Sequence, residues 1–190
     1  MRTPLIQAAL LCLSALCSAV LQARVEVEAA HDKRLGSVLA ARISEDIAPG
    51  DYEVLLQGLR ANPGRFDRKI VLLDNIGGSA PEAIRMGRLL RETRFAALVP
   101  SSGVCQGSCI YLLAAGHKKT VRGHVGLHRP PFPAGDSVQA QRLQGGQGYS
   151  PAAYFREMNI PTGLAEEMRR IEPHRMRVLS AEELARYRLN

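Results

Sequence analysis

The sequence predicts an α/β domain with a mainly parallel sheet, and two observations carry this prediction. Short apolar runs, typical of buried strands, alternate with longer amphipathic stretches, and the helical stretches are grouped late in the chain. The order of these segments, β-α-β-α-β-α-β, places helices between strands that run in the same direction. Right-handed crossover units have this arrangement.

The individual elements follow from local patterns. Strands are predicted at residues 24–29, 38–43, 70–73, 96–99 and 125–127, with another at the start of the stretch 104–116. Helices are predicted at 52–61, 81–93, 151–158 and 162–171, in the apolar run that ends at Gly116, and after Ser180. Asp51 is predicted to cap the first helix, and Ser180 with Glu183 forms a capping box. The Pro-, Gly- and Gln-rich segment 129–150 is predicted to be a lid or binding loop.

Residues 1–23 are predicted to be a secretory signal peptide. Arg2 is their only charged residue, nearly all residues from Pro4 to Leu21 are apolar or small, and Ala23 precedes the next charges. A short positive start, an apolar run and a small residue at the cleavage point are typical of such peptides. An uncleaved membrane anchor is the alternative, because the run is nearly long enough to span a bilayer. We therefore expect an exported protein with one domain over residues 24–190.

The charge of the chain does not point to nucleic acid. The formal net charge is +7, from 25 Lys and Arg against 18 Asp and Glu. A basic protein can bind nucleic acid or anionic lipid. Here the basic residues are scattered in runs no longer than Lys118-Lys119, and aromatic residues are few. No nucleic-acid partner is expected.

Three short segments carry residues suited to acyl-transfer chemistry. Gly77 and Gly78 follow an apolar strand, Ser108 lies where an apolar helix begins, and His128 ends a short strand. A backbone turn that offers N–H groups, a nucleophile and a base are what this chemistry uses. Each also has a structural interpretation: Ser108 as a helix cap, His128 as a hydrogen-bonded, partly buried histidine, and the glycines as a tight turn. The lysine of a phosphate-binding loop does not follow the glycines, and no cofactor is expected.

The exported domain would keep two cysteines, Cys105 and Cys109, which bracket Ser108. A disulfide is the favoured interpretation for an even pair in an oxidising compartment. A redox pair is an alternative, since a thiol at the start of a helix has a lowered pKa. A zinc site would need two more ligands. Three histidines are near in sequence, namely His117, His124 and His128. Their spacing matches no compact zinc pattern, and no metal is expected.

Four segments together resemble the proteolytic subunit of Clp proteases, in the same order and spacing. They are residues 73–79 (LDNIGGS), the small-residue stretch before residues 112–116 (LLAAG), residues 126–130 (GLHRP) and residues 178–187 (VLSAEELARY). Over roughly residues 36–190 the chain is similar to an exported, periplasmic branch of the Clp/crotonase superfamily. Members of that branch pair a signal peptide with a Cys-x-Ser-x-Cys-like motif.

The resemblance implies a Clp/crotonase-like spiral of βαβ units and a serine-hydrolase or peptidase activity. Ser108 would be the nucleophile and His128 the general base. The turn at Gly77 and Gly78, together with Gly107 and the backbone N–H of Cys109 after the nucleophile, would hold the oxyanion or bind the ligand. The implied partners are a peptide or acyl substrate and further copies of the chain in a homo-oligomer. No ATPase partner is expected outside the cytoplasm.

The chain departs from the family pattern at two positions. The family's catalytic serine aligns with Gly107, and Ser108 comes one residue later, which is a rotation of about 100 degrees on a helix. The catalytic aspartate aligns with Met176, whose thioether cannot orient an imidazole; Glu172 or Asp136 would have to substitute for it. The alternative function is therefore a catalytically inactive protein of the same fold that binds a peptide or acyl ligand in the same cleft.

Overall fold

The computed structural model describes residues 24–129, 150–172 and 174–190, and within them eight strands and six helices. The strands are β1 (Arg24–Asp32), β2 (Gly36–Ile47), β3 (Arg68–Gly78), β4 (Ala96–Val99), β5 (Val104–Gln106), β6 (Lys119–Val121), β7 (His124–His128) and β8 (Met176–Val178). The helices are α1 (Asp51–Ala61), α2 (Ala80–Glu92), α3 (Cys109–Ala115), α4 (Pro151–Glu157), α5 (Gly163–Arg170) and α6 (Ala181–Arg186). The predicted signal peptide and residues 130–149 of the predicted lid lie outside the described residues.

The eight strands form one mixed sheet. The strand order is β1-β2-β3-β5-β7-β8, with β4 also paired to β3 and β6 paired to β4. Five of the seven pairings are parallel, and the two antiparallel ones, β1 with β2 and β7 with β8, lie at the edges. The predicted α/β class with a mainly parallel sheet is confirmed. The sequence predicts neither β6 nor β8, which are only three residues long.

Strand β3 is the centre of the sheet and is longer than predicted. Its first half pairs with β4 over residues 70–72, and its second half pairs with β5 through Asn75 and Cys105. The predicted end at Leu73 is wrong because β2 continues to pair with the following residues, including both glycines. Gly78 has a φ of +112°, and a side chain there would collide with the Ile47 backbone. Only glycine fits this position without strain.

The start of α1 differs from the prediction. Gly50, not Asp51, is the residue that precedes the helix, and it makes no side-chain cap. The Asp51 carboxylate accepts the Ala48 N–H at 2.7 Å, while Glu82 of α2 accepts the N–H groups of Gly50 and Tyr52 at 3.0 and 2.9 Å. A carboxylate from a distant helix therefore satisfies the free N–H groups that a local cap was expected to satisfy.

The caps of α2 and α6 are local. The Ser79 hydroxyl accepts the Glu82 N–H at the start of α2. The predicted capping box of α6 is confirmed, because Ser180 accepts the Glu183 N–H and the Glu183 carboxylate accepts the Ser180 N–H. Each of these contacts satisfies a backbone N–H that has no partner within its helix.

Helix α3 is buried along its whole length and fixes the region around Ser108. All seven of its residues are buried, and it packs against α2, β3, β4 and β5. The Tyr111 ring contacts the rings of Tyr154 and Phe155 on α4, at centroid distances of 5.5 and 5.3 Å. The interior of the domain therefore holds this helix in one position. Among the described helices, none has both the length and the apolar character that spanning a membrane requires.

Candidate functional site

The three predicted site segments meet at one edge of the sheet. Strands β3, β5 and β7 are parallel neighbours, and their carboxyl ends carry Gly77-Gly78, Gly107-Ser108 and His128 respectively. The first two turns are in contact, since a Cβ atom on Gly77 would approach Gln106 O and Ser108 N to 3.1 Å. Ligands of parallel sheets bind at this end of the strands.

A cleft of about 160 Å³ opens at this edge. Its lining residues come from strands, turns and two helices: Ile76, Gly78, Gly107, Ser108, Tyr111, His128, Arg129 and Met168. The structure thus brings Ser108, His128, Gly78 and Gly107 to the same cavity. Of the other predicted site residues, Gly77 and Cys109 do not line the cleft themselves. They are the sequence neighbours of the lining residues Gly78 and Ser108.

Ser108 is buried, and its hydroxyl group is engaged with the glycine turn. Its Oγ atom donates a hydrogen bond of 2.7 Å to the Gly78 carbonyl oxygen. Ser108 occupies the N-cap position of α3, as its structural interpretation expects, but its side chain makes no cap hydrogen bond there. No hydrogen bond joins Ser108 to the half-buried His128 within the described chain. The single hydroxyl proton points to a carbonyl group and not to a base.

Gly107 occupies the turn from β5 into α3. Its φ is +53°, a conformation typical of the residue that carries the nucleophile in a strand-to-helix elbow. A Cβ atom built on Gly107 would lie 3.8 Å from His128 Cβ, with its nearest neighbour, Ile76 O, at 3.6 Å. A side chain at residue 107 would therefore be directed towards His128. Glycine provides no side chain there, although the space for one is present.

The predicted oxyanion donors differ in their availability. The Gly77 N–H donates to Asn75 Oδ1 at 2.8 Å, and the Gly107 N–H donates to the Gly126 carbonyl at 3.0 Å. Gly78 contributes its carbonyl oxygen to the Ser108 hydroxyl. The Cys109 N–H has no acceptor among the described residues. Within the described part of the chain, the Cys109 N–H is therefore the donor without a partner, while the N–H groups of Gly77 and Gly107 are already used.

No carboxylate lies beside His128 in the described part of the cleft. His128 is paired with Met176 across β7 and β8, and the lining includes neither Asp nor Glu. Glu172, one predicted substitute, is exposed and forms an ion pair of 2.9 Å with Arg175. The other, Asp136, lies outside the described residues. The described site consequently has a histidine without an acidic partner.

Cys105 and Cys109 bridge the two sides of the turn that holds Gly107 and Ser108. Their sulfurs are 2.06 Å apart, the distance of a disulfide bond, and both side chains are fully buried. Such a pair is consistent with an oxidising, exported location. Within the described ranges, no three His, Cys, Asp or Glu side chains are grouped as metal ligands would be.

Several functional residues have no clear signal in the sequence. Met168 reaches the cleft from α5, far along the chain, and Arg129 directly follows the last residue of β7. Asn75 is 1% exposed and holds the Gly77 N–H, yet its Nδ2 atom has no partner among the described residues. A polar residue between an apolar strand and two glycines was the only local indication of this role.

No protein-family model matches the chain, and none of the curated proteins matches it either.

Proposed function

We propose that this protein is a non-catalytic binding domain with a hydrolase-like architecture, which binds a peptide or acyl ligand in the cleft between Gly78, Gly107 and His128. The observation that carries the proposal is the environment of His128. Among the described residues, this histidine faces neither a serine hydroxyl that donates to it nor a carboxylate that would orient it. The cleft nevertheless retains a ligand-sized cavity.

The expected losses in reaction rate favour a binding function over catalysis. Releasing the hydrogen bond from Ser108 to Gly78 would cost only about 1 kcal/mol, which slows a reaction roughly fivefold. Loss of the acid from a serine triad costs about 10⁴-fold. The lack of a carboxylate beside His128 among the described residues is therefore the larger effect, and the direction of the Ser108 hydroxyl adds to it. Binding needs neither group.

The Clp/crotonase-like spiral is part of the same proposal. Strand β3 pairs with β4 through its first half and with β5 through its second half, so the sheet divides into two branches. This division supports a spiral of βαβ units. We further propose an exported, periplasmic location and a homo-oligomeric state, with no ATPase partner. The disulfide-distance pair of cysteines supports the location.

A second candidate is the serine hydrolase, and one observation favours it. Ser108 and His128 line the same cleft, and the Cys109 N–H has no acceptor in the described structure. In this reaction the Ser108 oxygen would bond to a substrate carbonyl carbon while its proton passes to His128. His128 would return the proton to the leaving group as the carbonyl–leaving-group bond breaks, and water would then release the acyl group. The Ser108 side chain would first have to rotate away from the Gly78 carbonyl.

Labelling by a fluorophosphonate distinguishes the two candidates. The full exported chain is incubated with the probe beside the Ser108→Ala variant and an active serine hydrolase as a positive control. We expect no labelling that depends on Ser108. Stoichiometric labelling of the wild-type chain that disappears in Ser108→Ala would contradict the binding proposal and support the hydrolase.

Ligand binding is tested on the same samples by NMR. Short N-acetylated peptides and short acyl amides are titrated, and shifts are expected for the resonances of residues that line the cleft. His128→Gln should weaken the binding. His124→Gln is the matched control, because His124 is exposed at the other end of β7. Equal effects of the two variants would show that the cleft is not the binding site.

A further inference from the structure

We propose that the cleft selects an apolar carboxylate, with the carboxylate head at His128 and Arg129 and the apolar chain beside Ile76, Tyr111 and Met168. This inference rests on the proposed binding function and names its ligand class. The same chemistry occurs in a free short-chain carboxylic acid and in the carboxyl-terminal residue of a peptide. The ligand is therefore defined by its head and its chain length.

The charge of the lining indicates an anionic head. Arg129 and His128 are the basic residues of the lining, and no Asp or Glu accompanies them in the described chain. Arg129 is exposed and has no ion pair or hydrogen bond with another described residue. Arginine binds carboxylates through two parallel N–H donors, and a neutral histidine adds one further N–H.

Several arginines of the described domain already have carboxylate partners, unlike Arg129. Arg85 is paired with Glu53, Arg88 with Glu157 and Arg177 with both Glu167 and Glu183. These guanidinium groups are engaged with carboxylates of the protein itself. Arg129 lies at the mouth of the cleft, whose described lining contains no Asp or Glu. Its N–H donors are therefore available to the carboxylate of a ligand.

The rest of the lining indicates an apolar chain of limited length. Ile76 is 53% exposed although it lies on the central strand, and the other two apolar lining residues, Met168 and Tyr111, are almost fully buried. A ligand that covers Ile76 removes apolar surface from water. A cavity of about 160 Å³ holds roughly six carbon atoms, since an engineered cavity of similar size binds benzene. One leucine-sized side chain or a short acyl chain fits this volume.

Gly107 allows the head group to reach His128. A Cβ atom on Gly107 would lie 3.8 Å from His128 Cβ, so any side chain there would extend into the space beside the histidine. Because glycine has no side chain, a carboxylate oxygen can approach the imidazole from this direction. The same feature that removes a nucleophile from the turn thus makes room for an anion.

The experiment compares acids with their amides on the wild-type chain by calorimetry. One pair is 4-methylpentanoate and 4-methylpentanamide; the other is N-acetyl-Gly-Gly-Leu with a free carboxylate and with a carboxyl-terminal amide. We expect each acid to bind at least about tenfold more tightly than its amide, the effect typical of one charged hydrogen-bonded pair. Tight binding of both acids supports recognition of the shared head and chain, and binding of the peptide acid alone assigns the head to a peptide terminus.

Two variants test whether Arg129 causes the preference for the acid over the amide. Arg129→Gln should remove the difference between acid and amide, and Arg122→Gln should leave it unchanged. Arg122 is an exposed arginine in the turn before β7 and does not line the cleft. Equal binding of acid and amide by the wild-type chain, or no binding of either, would overturn the inference. If acid and amide bind equally and no Ser108-dependent labelling occurs, the binding function stands while the anion preference fails; Ser108-dependent labelling would overturn the binding function itself.

Discussion

A Cβ atom placed on Gly107 would lie 3.8 Å from the Cβ atom of His128, and its nearest described neighbour outside residues 106–108 would be Ile76 O at 3.6 Å. A serine at residue 107 would thus direct its hydroxyl into the cleft beside the imidazole, whereas the Ser108 hydroxyl is bonded to Gly78. The backbone geometry of a nucleophile-bearing turn is present without its side chain. We therefore expect a serine at residue 107 to be reactive.

We expect Gly107→Ser to become labelled by a fluorophosphonate, slowly, and only when His128 is present. The φ of +53° costs a non-glycine residue about 1 kcal/mol, which the domain should tolerate. Gly107→Ala is the matched control, because it has the same backbone strain and no hydroxyl. The measurement is the labelled fraction against time for the three chains and for Gly107→Ser combined with His128→Gln. A folded Gly107→Ser chain that is not labelled would contradict the proposed geometry of the turn.

Opening the disulfide should reduce stability without changing what the cleft binds. The two cysteines are four positions apart in sequence, and closing so short a loop stabilises a protein by about 2 kcal/mol in the chain-entropy model. For a domain of this size, the melting temperature should fall by roughly 4–8 °C when both cysteines are replaced by alanine. Because both sulfurs are buried, reductant should act slowly on the folded chain.

Calorimetry of the oxidised chain and the double alanine variant measures this difference, with alkylation before and after unfolding as a control for access to the sulfurs. Equal melting temperatures would exclude a structural role for the bond. Disulfide reductase activity that is lost in Cys109→Ser would instead support the redox interpretation of the pair.

The pH dependence of stability should be opposite at Asp51 and Asp67. Burial raises the pKa of Asp51 above its ordinary value of 3.8, whereas hydrogen bonds from the Ser37 N–H and hydroxyl lower the pKa of Asp67. A raised pKa in the folded state gives stability that is present at low pH and is lost as the pH rises through the folded pKa. A lowered pKa gives stability that is present above the unfolded pKa and is lost as the pH falls.

Asp51→Asn should therefore raise the melting temperature at pH 7, and this gain should shrink as the pH falls through the raised pKa of Asp51. The amide oxygen can still accept the Ala48 N–H, so only the buried charge is removed. Asp67→Asn should lower the melting temperature at pH 7 and lose its effect in acid. Thermal unfolding of the three chains from pH 3 to pH 8 measures both trends. Trends of the same sign at the two positions would show that their environments have been misassigned.

Local sequence patterns predicted much of the fold, but they failed where pairing partners decide the structure. The apolar strand Ala96–Val99 and the box at Ser180 and Glu183 were predicted with their correct bounds, since both depend on neighbouring residues. Strands β6 and β8 have three residues each and form only because β4 and β7 offer free edges. Polar residues and glycines at the end of β3 look like a turn in the sequence, yet pairing with β2 keeps them extended.

For the candidate site too, local patterns predict the segments that carry it but not the contacts between them. Its segments were predicted because each carries a chemically distinctive residue, and the parallel order of β3, β5 and β7 brings them together. The direction of the Ser108 hydroxyl depends on the Gly78 carbonyl, thirty residues away in sequence. Met168 enters from α5. These contacts depend on tertiary packing, and no local pattern encodes them.

Asn75 should be more important to stability than its position at a strand end suggests. It is 1% exposed, and its Oδ1 atom accepts the Gly77 N–H at 2.8 Å, which fixes the backbone just before Gly78. Asn75→Ala would leave that N–H buried and unpaired, at a cost of about 1–3 kcal/mol. The free energy of unfolding, from denaturant titration, measures the loss. Ligand affinity should fall as well, because Gly78 lines the cleft.

Asn62→Ala is the matched control for this substitution. The Asn62 side chain donates to the Gly58 carbonyl at the end of α1, on a half-buried residue away from the cleft. Removing it breaks one hydrogen bond that water can replace, so the loss should be smaller than for Asn75→Ala and ligand affinity should not change. If the two variants lose the same stability and the same affinity, Asn75 does not position the glycine turn.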